Sequence, residues 1–285
     1  MTYTFQKARK SKIKARIAID GPSGSGKTYT SLIAATALAQ GGKIAVIDTE
    51  RGSASLYSDK FEFDVLELDK FSPKTYIDAI EAAERAGYSV IVIDSLSHAW
   101  EGEGGALDMV DNAAARSNSK NSYTAWRDVT PIHRRMVDAI LQSSCHIIAT
   151  MRSKTEYVLE TNSRGQQVPR KVGMAPIQRA GMEYEFTVVG DMDLDHRIVI
   201  SKSRYEPLQD SVETKPTAEF FQPFVDWLSE GESPRSKAAP QPQPSFSLDD
   251  LIAAFGEDEV KEANNGTMPE TVDDIEKAAS KLFGS

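Results

Sequence analysis

The residues with the most specific chemical pattern are Gly21–Thr28, GPSGSGKT, which match the spacing G-x-x-x-x-G-K-[ST] at every fixed position. A short apolar stretch, Ile17–Asp20, precedes them, and Tyr29–Gln40 has the composition of a helix. Backbone amides in a glycine-rich turn at a helix N-terminus bind phosphate, because they combine free donors with positive potential. The pattern therefore predicts a phosphate-binding loop in which Lys27 reaches the β- and γ-phosphates of a nucleotide and Thr28 ligates Mg²⁺. The residues predicted to bind the nucleotide are Gly21, Pro22, Ser23, Gly24, Ser25, Gly26, Lys27, Thr28 and Tyr29.

A second apolar run, VIVIDSLS, completes the predicted metal site. Its first five residues are predicted to form a buried strand, and Asp94 at the end of that strand can bind Mg²⁺ through water. The next residue is Ser95, at a position where many nucleotide hydrolases have the acid that activates the attacking water. If the chain hydrolyses a nucleotide, its general base can come from the end of a neighbouring strand.

A candidate for that base is Glu50, in the segment IAVIDTERG. Ligands of parallel α/β sheets lie beyond the carboxyl ends of the strands, and this segment brings Asp48 and Glu50 to the same edge as Asp94. A glutamate there can polarise a water molecule, a role worth roughly 10²–10⁴ in rate. By mechanism alone, Glu50 fits a surface loop acid equally well.

The order of elements predicts a parallel sheet with helices on its faces. Up to about residue 150, apolar runs that suit buried strands alternate with helical segments, among them Lys74–Ala86, capped by Ser72, and a helix near Thr130–Gln142. The stretch before the latter helix is polar and contains glycine. Two hairpins follow, EYVLE with QQVPRK around TNSRG and YEFTVV with RIVISKS around GDMDLD, and TAEFFQPFVDWL predicts a closing helix.

Composition divides the chain into four predicted parts. An N-terminal arm, 1–11, precedes a core that spans 12–230. The segment 231–247 is rich in proline, serine and glutamine, which is typical of a linker. The remainder, 248–285, is predicted to be an acidic helical module, with one helix capped by Ser247 and another starting at Thr271.

The net charge of −9 argues against nucleic-acid binding, but the charge is unevenly distributed. From Gly231 onwards there are 5 basic and 11 acidic residues, whereas the N-terminus is basic up to Asp20. This asymmetry fits an acidic tail that competes for a basic surface, and it fits solvated ends equally well.

The single cysteine, Cys145, excludes an internal disulfide framework. No apolar run approaches the roughly 20 residues of a membrane span, and we expect a cytoplasmic protein.

The succession of IDTE and VIVIDSLS resembles the core of RecA-type ATPases. In that family the catalytic glutamate follows the strand after the phosphate-loop helix, so the resemblance implies Glu50 as the base and Asp94 at the metal. The segment VISKSR resembles the strand that RecA-type subunits present to the ATP of a neighbour, which implies Lys202 and Arg204 as trans fingers. More narrowly, Lys12–Gly231 resembles the phage-type AAA-family ATPases with a RecA-like core, which are single-strand annealing proteins or recombinases.

The resemblance implies an α/β fold of the RecA-like P-loop class. Its sheet would be mainly parallel and flanked by helices, with antiparallel hairpins towards the C-terminus and a small acidic helical tail beyond the core. One departure is the segment MRSK, with Arg152 and Lys154, which follows the strand HIIAT where RecA-type proteins usually have a glutamine sensor. The sensor of the ATP state is therefore left open. FQKA, at Phe5–Ala8, resembles the F-x-x-A tether of archaeal and eukaryotic relatives.

RecA-type enzymes bind DNA through loops that follow the two central strands, which implies two basic surfaces here. The first corresponds to Glu101–Tyr123 and the second to the first predicted hairpin. Cations that contact phosphates, with an occasional aromatic side chain, suit sequence-independent binding of single strands. An ordinary solvated hairpin is the alternative, and Glu156 and Glu160 favour it. The implied DNA contacts are Arg116, Lys120, Lys154, Arg164, Arg170 and Lys171.

These features predict a Mg²⁺-dependent ATPase that acts on single-stranded DNA in phage-type recombination, annealing or repair. It would work in the host cytoplasm if phage-encoded, as a homo-oligomer with ATP at the subunit interfaces. Two alternatives stay open. One is a P-loop phosphotransferase acting on a small molecule, and the other is a nucleotide-gated DNA-binding or loader module with little turnover, whose acidic tail recruits a protein partner.

Overall fold

A mixed β-sheet organises the larger of two compact units, which divide between residues 232 and 233. The computed structural model describes residues 13–116, 121–161, 167–230, 248–269 and 272–283. The strands are β1 (Arg16–Gly21), β2 (Ile44–Asp48), β3 (Asp64–Glu67), β4 (Val90–Asp94), β5 (His146–Thr161), β6 (Gln167–Pro176), β7 (Val188–Met192), β8 (Arg197–Ser203) and β9 (Val212–Thr214). Their order is β3-β2-β4-β5-β1-β7-β8-β9, and β6 pairs only with the extension of β5.

The six strands from β3 to β7 in this order are parallel, and the additions at the C-terminal side are antiparallel. Every residue of β1, β2 and β4 is buried, which explains why their sequences are continuous apolar runs without alternation. Because parallel strands end at one edge, this sheet brings the ends of β1, β2, β4 and the parallel part of β5 together.

Helices cover both faces of the sheet. The helices of this unit are α1 (Lys27–Ala39), α2 (Pro73–Arg85), α3 (His98–Glu101), α4 (Ala106–Arg116), α5 (Ser122–Gln142) and α6 (Ala218–Ser229). On one face α1 and α6 pack over a core that includes Leu32, Phe221 and Phe224, and on the other face α2 and α5 pack over Tyr76 and Ile140. The predicted fold class, a mainly parallel sheet flanked by helices with antiparallel hairpins, is confirmed.

The region between β4 and the second half of α5 differs from the prediction. It was expected to be a loop, with the helix starting near Thr130, but α4 occupies its middle and α5 already begins at Ser122. Pro131 lies inside α5, and a proline normally disfavours helix in the residue before it. Packing outweighs that preference here, because Val110 of α4 and Val129 of α5 belong to one buried apolar cluster.

Both predicted hairpins are confirmed in their strand pairing. The strand HIIAT continues without a break into the first hairpin, so that β5 is 16 residues long and pairs with β1 and β4 before it pairs with β6. Residues 162–166, which include all of the predicted turn TNSRG except Thr161, lie outside the described residues. In the second hairpin, β7 extends to Met192, so the turn starts at Asp193 and not at the predicted Gly190.

The smaller unit contains α7 (Leu248–Phe255), α8 (Glu257–Ala263) and α9 (Val272–Phe283) around a core of Leu251, Val260, Ala278 and Ala279. The helix α8 was not predicted. The predicted arm 1–11, with FQKA, and the predicted linker 231–247 lie outside the described residues. No helix in the described part of the chain has the length and apolarity to cross a membrane.

Candidate functional site

The phosphate-binding loop runs from the end of β1 into α1, as the motif predicted. Gly26 is the N-cap of α1 with φ 95°, a left-handed conformation that suits glycine. A Cβ on Gly21 would lie 2.6 Å from the carbonyl oxygen of Met192, so only glycine fits where β1 passes the end of β7. Lys27 bends back over the loop and its Nζ donates to the carbonyl oxygen of Pro22 at 2.8 Å. Gly26, Lys27 and Thr28 line one cavity, so the start of α1 and the Lys27 side chain border the same space.

Asp94 forms a buried corner with the loop. Its Oδ2 accepts a hydrogen bond from Thr28 Oγ1 at 2.6 Å, and its Oδ1 accepts one from Thr150 Oγ1 at 2.5 Å. Burial raises the pKa of Asp94, although both hydroxyls act in the opposite direction. A carboxylate that is 2% exposed and accepts from two neutral hydroxyls fits a nearby cation, because a divalent ion would supply compensating positive charge.

This corner fits Mg²⁺ better than a metal that needs a full protein cage. No group of three or more His, Cys, Asp or Glu side chains suited to a metal occurs among the described residues. Mg²⁺ is usually held by one or two carboxylates together with substrate phosphates, and one hydroxyl and one carboxylate are present beside the phosphate loop. Thr28 and Asp94 are therefore the residues that would hold it.

Glu50 lies at the same edge of the sheet, but an arginine holds it. Arg152 Nε donates to Glu50 Oε1 at 2.9 Å and Arg152 Nη2 donates to Glu50 Oε2 at 2.5 Å, which makes a bidentate ion pair. Partial burial acts to raise the pKa of Glu50, but the hydrogen bond and charge of Arg152 outweigh it, and the pKa is lowered. The candidate base is therefore an ion-paired carboxylate in this structure.

Ser95, which stands where a second acid was looked for, contacts the candidate base. Its Oγ donates to Glu50 Oε1 at 3.2 Å, and its backbone N–H donates to Thr49 Oγ1 at 2.7 Å. Thr49 Oγ1 also lies 2.7 Å from Nδ1 of His98. The residues after β2 and β4 are thus connected by hydrogen bonds, and these bonds fix the backbone that carries Glu50 next to Asp94.

One cavity of about 1470 Å³ joins these groups. Its lining includes the phosphate loop, Glu50, Asp94 and Arg152, together with aromatic side chains and the segment 215–218. The ring of Tyr29 contacts those of Tyr57 and Phe61 edge-on, with centroids 5.4 and 5.2 Å apart. The cavity therefore has room and a partly apolar wall for more of a nucleotide than its phosphates.

Several residues of this cavity were not predicted. The sequence signal for Tyr57 and Phe61 is weak, because aromatic residues in LYSDKFEF also suit an ordinary core. His196, in the turn after β7, places Nδ1 3.0 Å from the carbonyl oxygen of Ser25 and so contacts the phosphate loop. No motif connects residues 171 positions apart, and only the pairing of β1 with β7 brings them together.

The two predicted trans fingers lie away from the phosphate loop of their own chain. Lys202 pairs in register with Val189, and its Nζ donates to the carbonyl oxygens of Glu183 and Tyr184, which precede β7. Arg204 is exposed and its backbone N–H donates to the carbonyl oxygen of Thr187. Both cations therefore face the edge of the sheet where β1 and β7 begin, whereas the phosphate loop follows the other end of β1.

The predicted DNA contacts are only partly described. Lys154 is exposed where β5 enters the hairpin, and Arg116 is exposed at the last position of α4, not in a loop. Lys120 and Arg164 lie outside the described residues. The backbones of Arg170 and Lys171 pair with Val158 and Tyr157 across the hairpin.

Residues 13–221 match the family model described as AAA domain, which covers more than half of the chain. No curated protein matches. Among solved structures, the RadB recombinase is similar at 15% identity and a TM-score of 0.40, with 70% of this chain and 86% of that chain covered. A second solved structure, an ATPase domain, is similar at 11% identity and a TM-score of 0.42, with 72% of this chain and 80% of that chain covered.

Proposed function

We propose that the chain, which belongs to the AAA-domain family, is a RecA-like, Mg²⁺-dependent ATP hydrolase that acts on single-stranded DNA in phage-type recombination, annealing or repair. The observation that carries this proposal is the continuity of β5. The strand passes beside the phosphate loop, contributes Thr150 and Arg152 to the site, and runs directly into the basic hairpin.

The site residues divide the work of hydrolysis among them. Lys27 and the loop amides bind the phosphates, and Thr28 with Asp94 would hold Mg²⁺, which would neutralise negative charge on the phosphates. Glu50, once released from Arg152, accepts a proton from the attacking water. Tyr29, Tyr57 and Phe61 provide the apolar wall for the rest of the nucleotide.

Single-stranded DNA is the proposed partner because the hairpin is basic in sequence and leaves the sheet at the nucleotide site. Lys154, Arg170 and Lys171 belong to its strands, and Arg164 lies between those strands in the sequence. Lysines and arginines that neutralise phosphates give affinity without sequence preference. A strand shared between the site and the hairpin gives a physical route by which DNA binding affects hydrolysis.

Lys202 and Arg204 support a proposed homo-oligomer. They lie at the edge of the sheet away from the phosphate loop of their own chain. This position suits them to contact the nucleotide bound by a second copy and not the nucleotide bound by their own chain. Cations supplied in trans in this way stabilise transition-state charge in phosphoryl transfer. Hydrolysis would then require assembly of copies, with ATP at their interfaces.

The experiment that tests the proposal is ATP hydrolysis by the full chain with no nucleic acid, with single-stranded DNA and with duplex DNA. We expect stimulation by single strands, and we expect Lys27→Ala to abolish hydrolysis in all three conditions. Hydrolysis that is sensitive to Lys27→Ala but indifferent to DNA would contradict the proposed DNA partner. Transfer of the phosphate to a small molecule in place of water would favour the phosphotransferase alternative.

A further inference from the structure

Arg152 occupies the position that decides whether Glu50 can work as a base. Its guanidinium binds both carboxylate oxygens of Glu50, and Ser95 Oγ donates to one of them as well. A carboxylate held in this way accepts a proton poorly, since the ion pair stabilises its charged form. Hydrolysis by way of Glu50 therefore requires that Arg152 first move to another partner.

The other partner that Arg152 can reach in this site is the phosphate group of a bound nucleotide. Arg152 and Lys27 line the same cavity, and the Arg152 side chain is 42% exposed, so its fork can reach an anion bound there. Guanidinium binds phosphate with the same bidentate geometry that it uses for a carboxylate. A terminal phosphate held beside Lys27 would compete with Glu50 for Arg152, whereas a nucleoside diphosphate lacks that group.

The backbone of Arg152 connects the ion pair to the hairpin. Arg152 is the last residue of β5 that pairs with β1, opposite Gly21, and the next residue, Ser153, already pairs with β6. Its N–H donates to Ser97 Oγ at 2.9 Å, and its carbonyl oxygen accepts from the N–H of Ile177 at 2.6 Å. A movement of this residue would therefore change its hydrogen bonds to Ser97, which follows β4, and to Ile177, at the base of the hairpin.

We propose that Arg152 is a positioning residue that exchanges between Glu50 and the terminal phosphate of a nucleoside triphosphate, and so makes the base available only when a triphosphate is bound. In the diphosphate state the guanidinium stays on Glu50. In the triphosphate state it binds the phosphate, and Glu50 is free to accept the proton of water. This role rests on the proposed ATPase function, and it names the ATP-state sensor that the sequence left open.

The test is the preference for triphosphate over diphosphate, measured without turnover. Dissociation constants of a non-hydrolysable ATP analogue and of ADP are determined by calorimetry, with Mg²⁺, for the full-length protein and its variants. Because Arg152 would contact only the terminal phosphate, Arg152→Ala should lower the preference about tenfold by weakening the binding of the analogue. Glu50→Gln should raise the preference, since Arg152 then has no carboxylate competing for it.

Two further variants make the result specific. Arg152→Lys keeps the charge but loses the fork, so it should restore only part of the preference. Arg85→Ala removes an exposed arginine that pairs with Glu81 on α2, and it should leave the preference unchanged. An unchanged preference in Arg152→Ala, or a lower one in Glu50→Gln, would overturn the proposed exchange. Absence of DNA stimulation in the unaltered protein would instead count against the DNA partner, because the preference is measured without DNA.

Discussion

The two edges of the sheet differ in how their polar residues are used. At the carboxyl edge, Asp94 contacts Thr28 and Thr150 through hydrogen bonds, and Asp94, Thr28 and Glu50 line one cavity. At the amino edge, Lys202 is bonded to backbone carbonyl oxygens and Arg204 is exposed. The first edge gathers the candidate site residues within one chain, whereas the second presents two cations away from the phosphate loop of that chain.

Strand direction explains this difference. The ends of β1, β2 and β4 meet because these strands are parallel, so that residues far apart in sequence gather at one edge. The strand β8 is antiparallel to β7, and its end therefore points to the other edge. Lys202 and Arg204, at the end of β8, would therefore complete a nucleotide site only in another copy of the chain, which makes the comparison testable by mixing variants.

The largest expected effect comes from removing both cations of the amino edge. The variant Lys202→Ala/Arg204→Ala should lose about 10³–10⁵ in kcat if the two groups act as trans fingers. It retains an intact phosphate loop, while Lys27→Ala retains intact Lys202 and Arg204. Mixing these two inactive variants should therefore restore hydrolysis, measured as phosphate release over a range of mixing ratios.

The mixing experiment distinguishes a partner role from a structural one. If Lys202 only fixes the backbone at Glu183 and Tyr184, the double variant would be inactive or unstable and mixing would restore nothing. The size of the assemblies, measured by light scattering, should stay the same in both variants. Activity of the isolated double variant equal to that of the unaltered protein would contradict the trans role.

At the carboxyl edge, Glu50→Gln should lower kcat by roughly 10²–10⁴, since an amide cannot accept the proton of the attacking water. The nucleotide should still bind, because Lys27 and the loop amides are unchanged. The measurement is single-turnover hydrolysis next to equilibrium binding. Glu101→Gln, which changes another acid that lines the cavity, serves as the matched control. A fully active Glu50→Gln variant would leave the identity of the base open again.

The difference between the two edges also shows what the sequence could predict. The phosphate loop was predicted from its fixed spacing, and Asp94 and Glu50 were placed at the same edge because they follow apolar runs that suit buried strands. The pair of Glu50 with Arg152 was not, because it joins residues 102 positions apart and depends on the order of β2, β4 and β5. Local patterns predict which residue follows a strand, whereas the order of the strands in the sheet decides which residues of other strands it contacts.

The helices show the same limit of prediction from local sequence patterns. Ser72 was predicted to cap α2, and Ser72 Oγ does accept a hydrogen bond from the N–H of Thr75. The first turns of α5 were missed because Pro131 argues locally against a helix before it, and tertiary packing with α4 outweighs that preference. The segment predicted to be the first DNA-binding loop is therefore largely helix.

A smaller effect is expected from the hairpin that leaves the carboxyl edge. Arg170→Glu/Lys171→Glu should weaken binding of single-stranded DNA and leave nucleotide binding intact. If both cations contact phosphates, the slope of log affinity against log salt should fall by roughly 1.4, at about 0.7 for each contact. Fluorescence anisotropy at several salt concentrations measures both quantities.

The control for the hairpin variant reverses the charge of two cations on another element, the helix α2. Lys74→Glu/Arg85→Glu makes the same change in net charge on the exposed surface of α2. If this control weakens DNA binding as much as the hairpin variant does, the effect is one of overall charge and the hairpin is not the interface. An unchanged affinity in the hairpin variant would contradict the assignment directly.

The smallest effect concerns an acid pair beside the phosphate loop. Burial, together with the charge of Asp191 on the neighbouring strand, raises the pKa of Asp20 to about 7 from an ordinary value of 3.8, while Ser153 and Lys27 act to lower it. Between these values the folded protein binds more protons than the unfolded chain, so its stability falls as the pH rises. Asparagine cannot ionise, and Asp20→Asn should therefore gain stability relative to the unaltered protein between pH 5 and pH 8, on the order of 1–2 kcal/mol.

Urea unfolding of the larger unit at the two pH values measures this difference. Asp78→Asn, on the exposed surface of α2, should show no such gain, because its carboxylate is solvated and pairs with Lys74. A constant stability difference between Asp20→Asn and the unaltered protein at both pH values would mean that Asp20 is already ionised at pH 5. The carboxyl edge would then hold a further negative charge close to Lys27, and repulsion of phosphate by that edge would have to be overcome by Lys27, the loop amides and Mg²⁺.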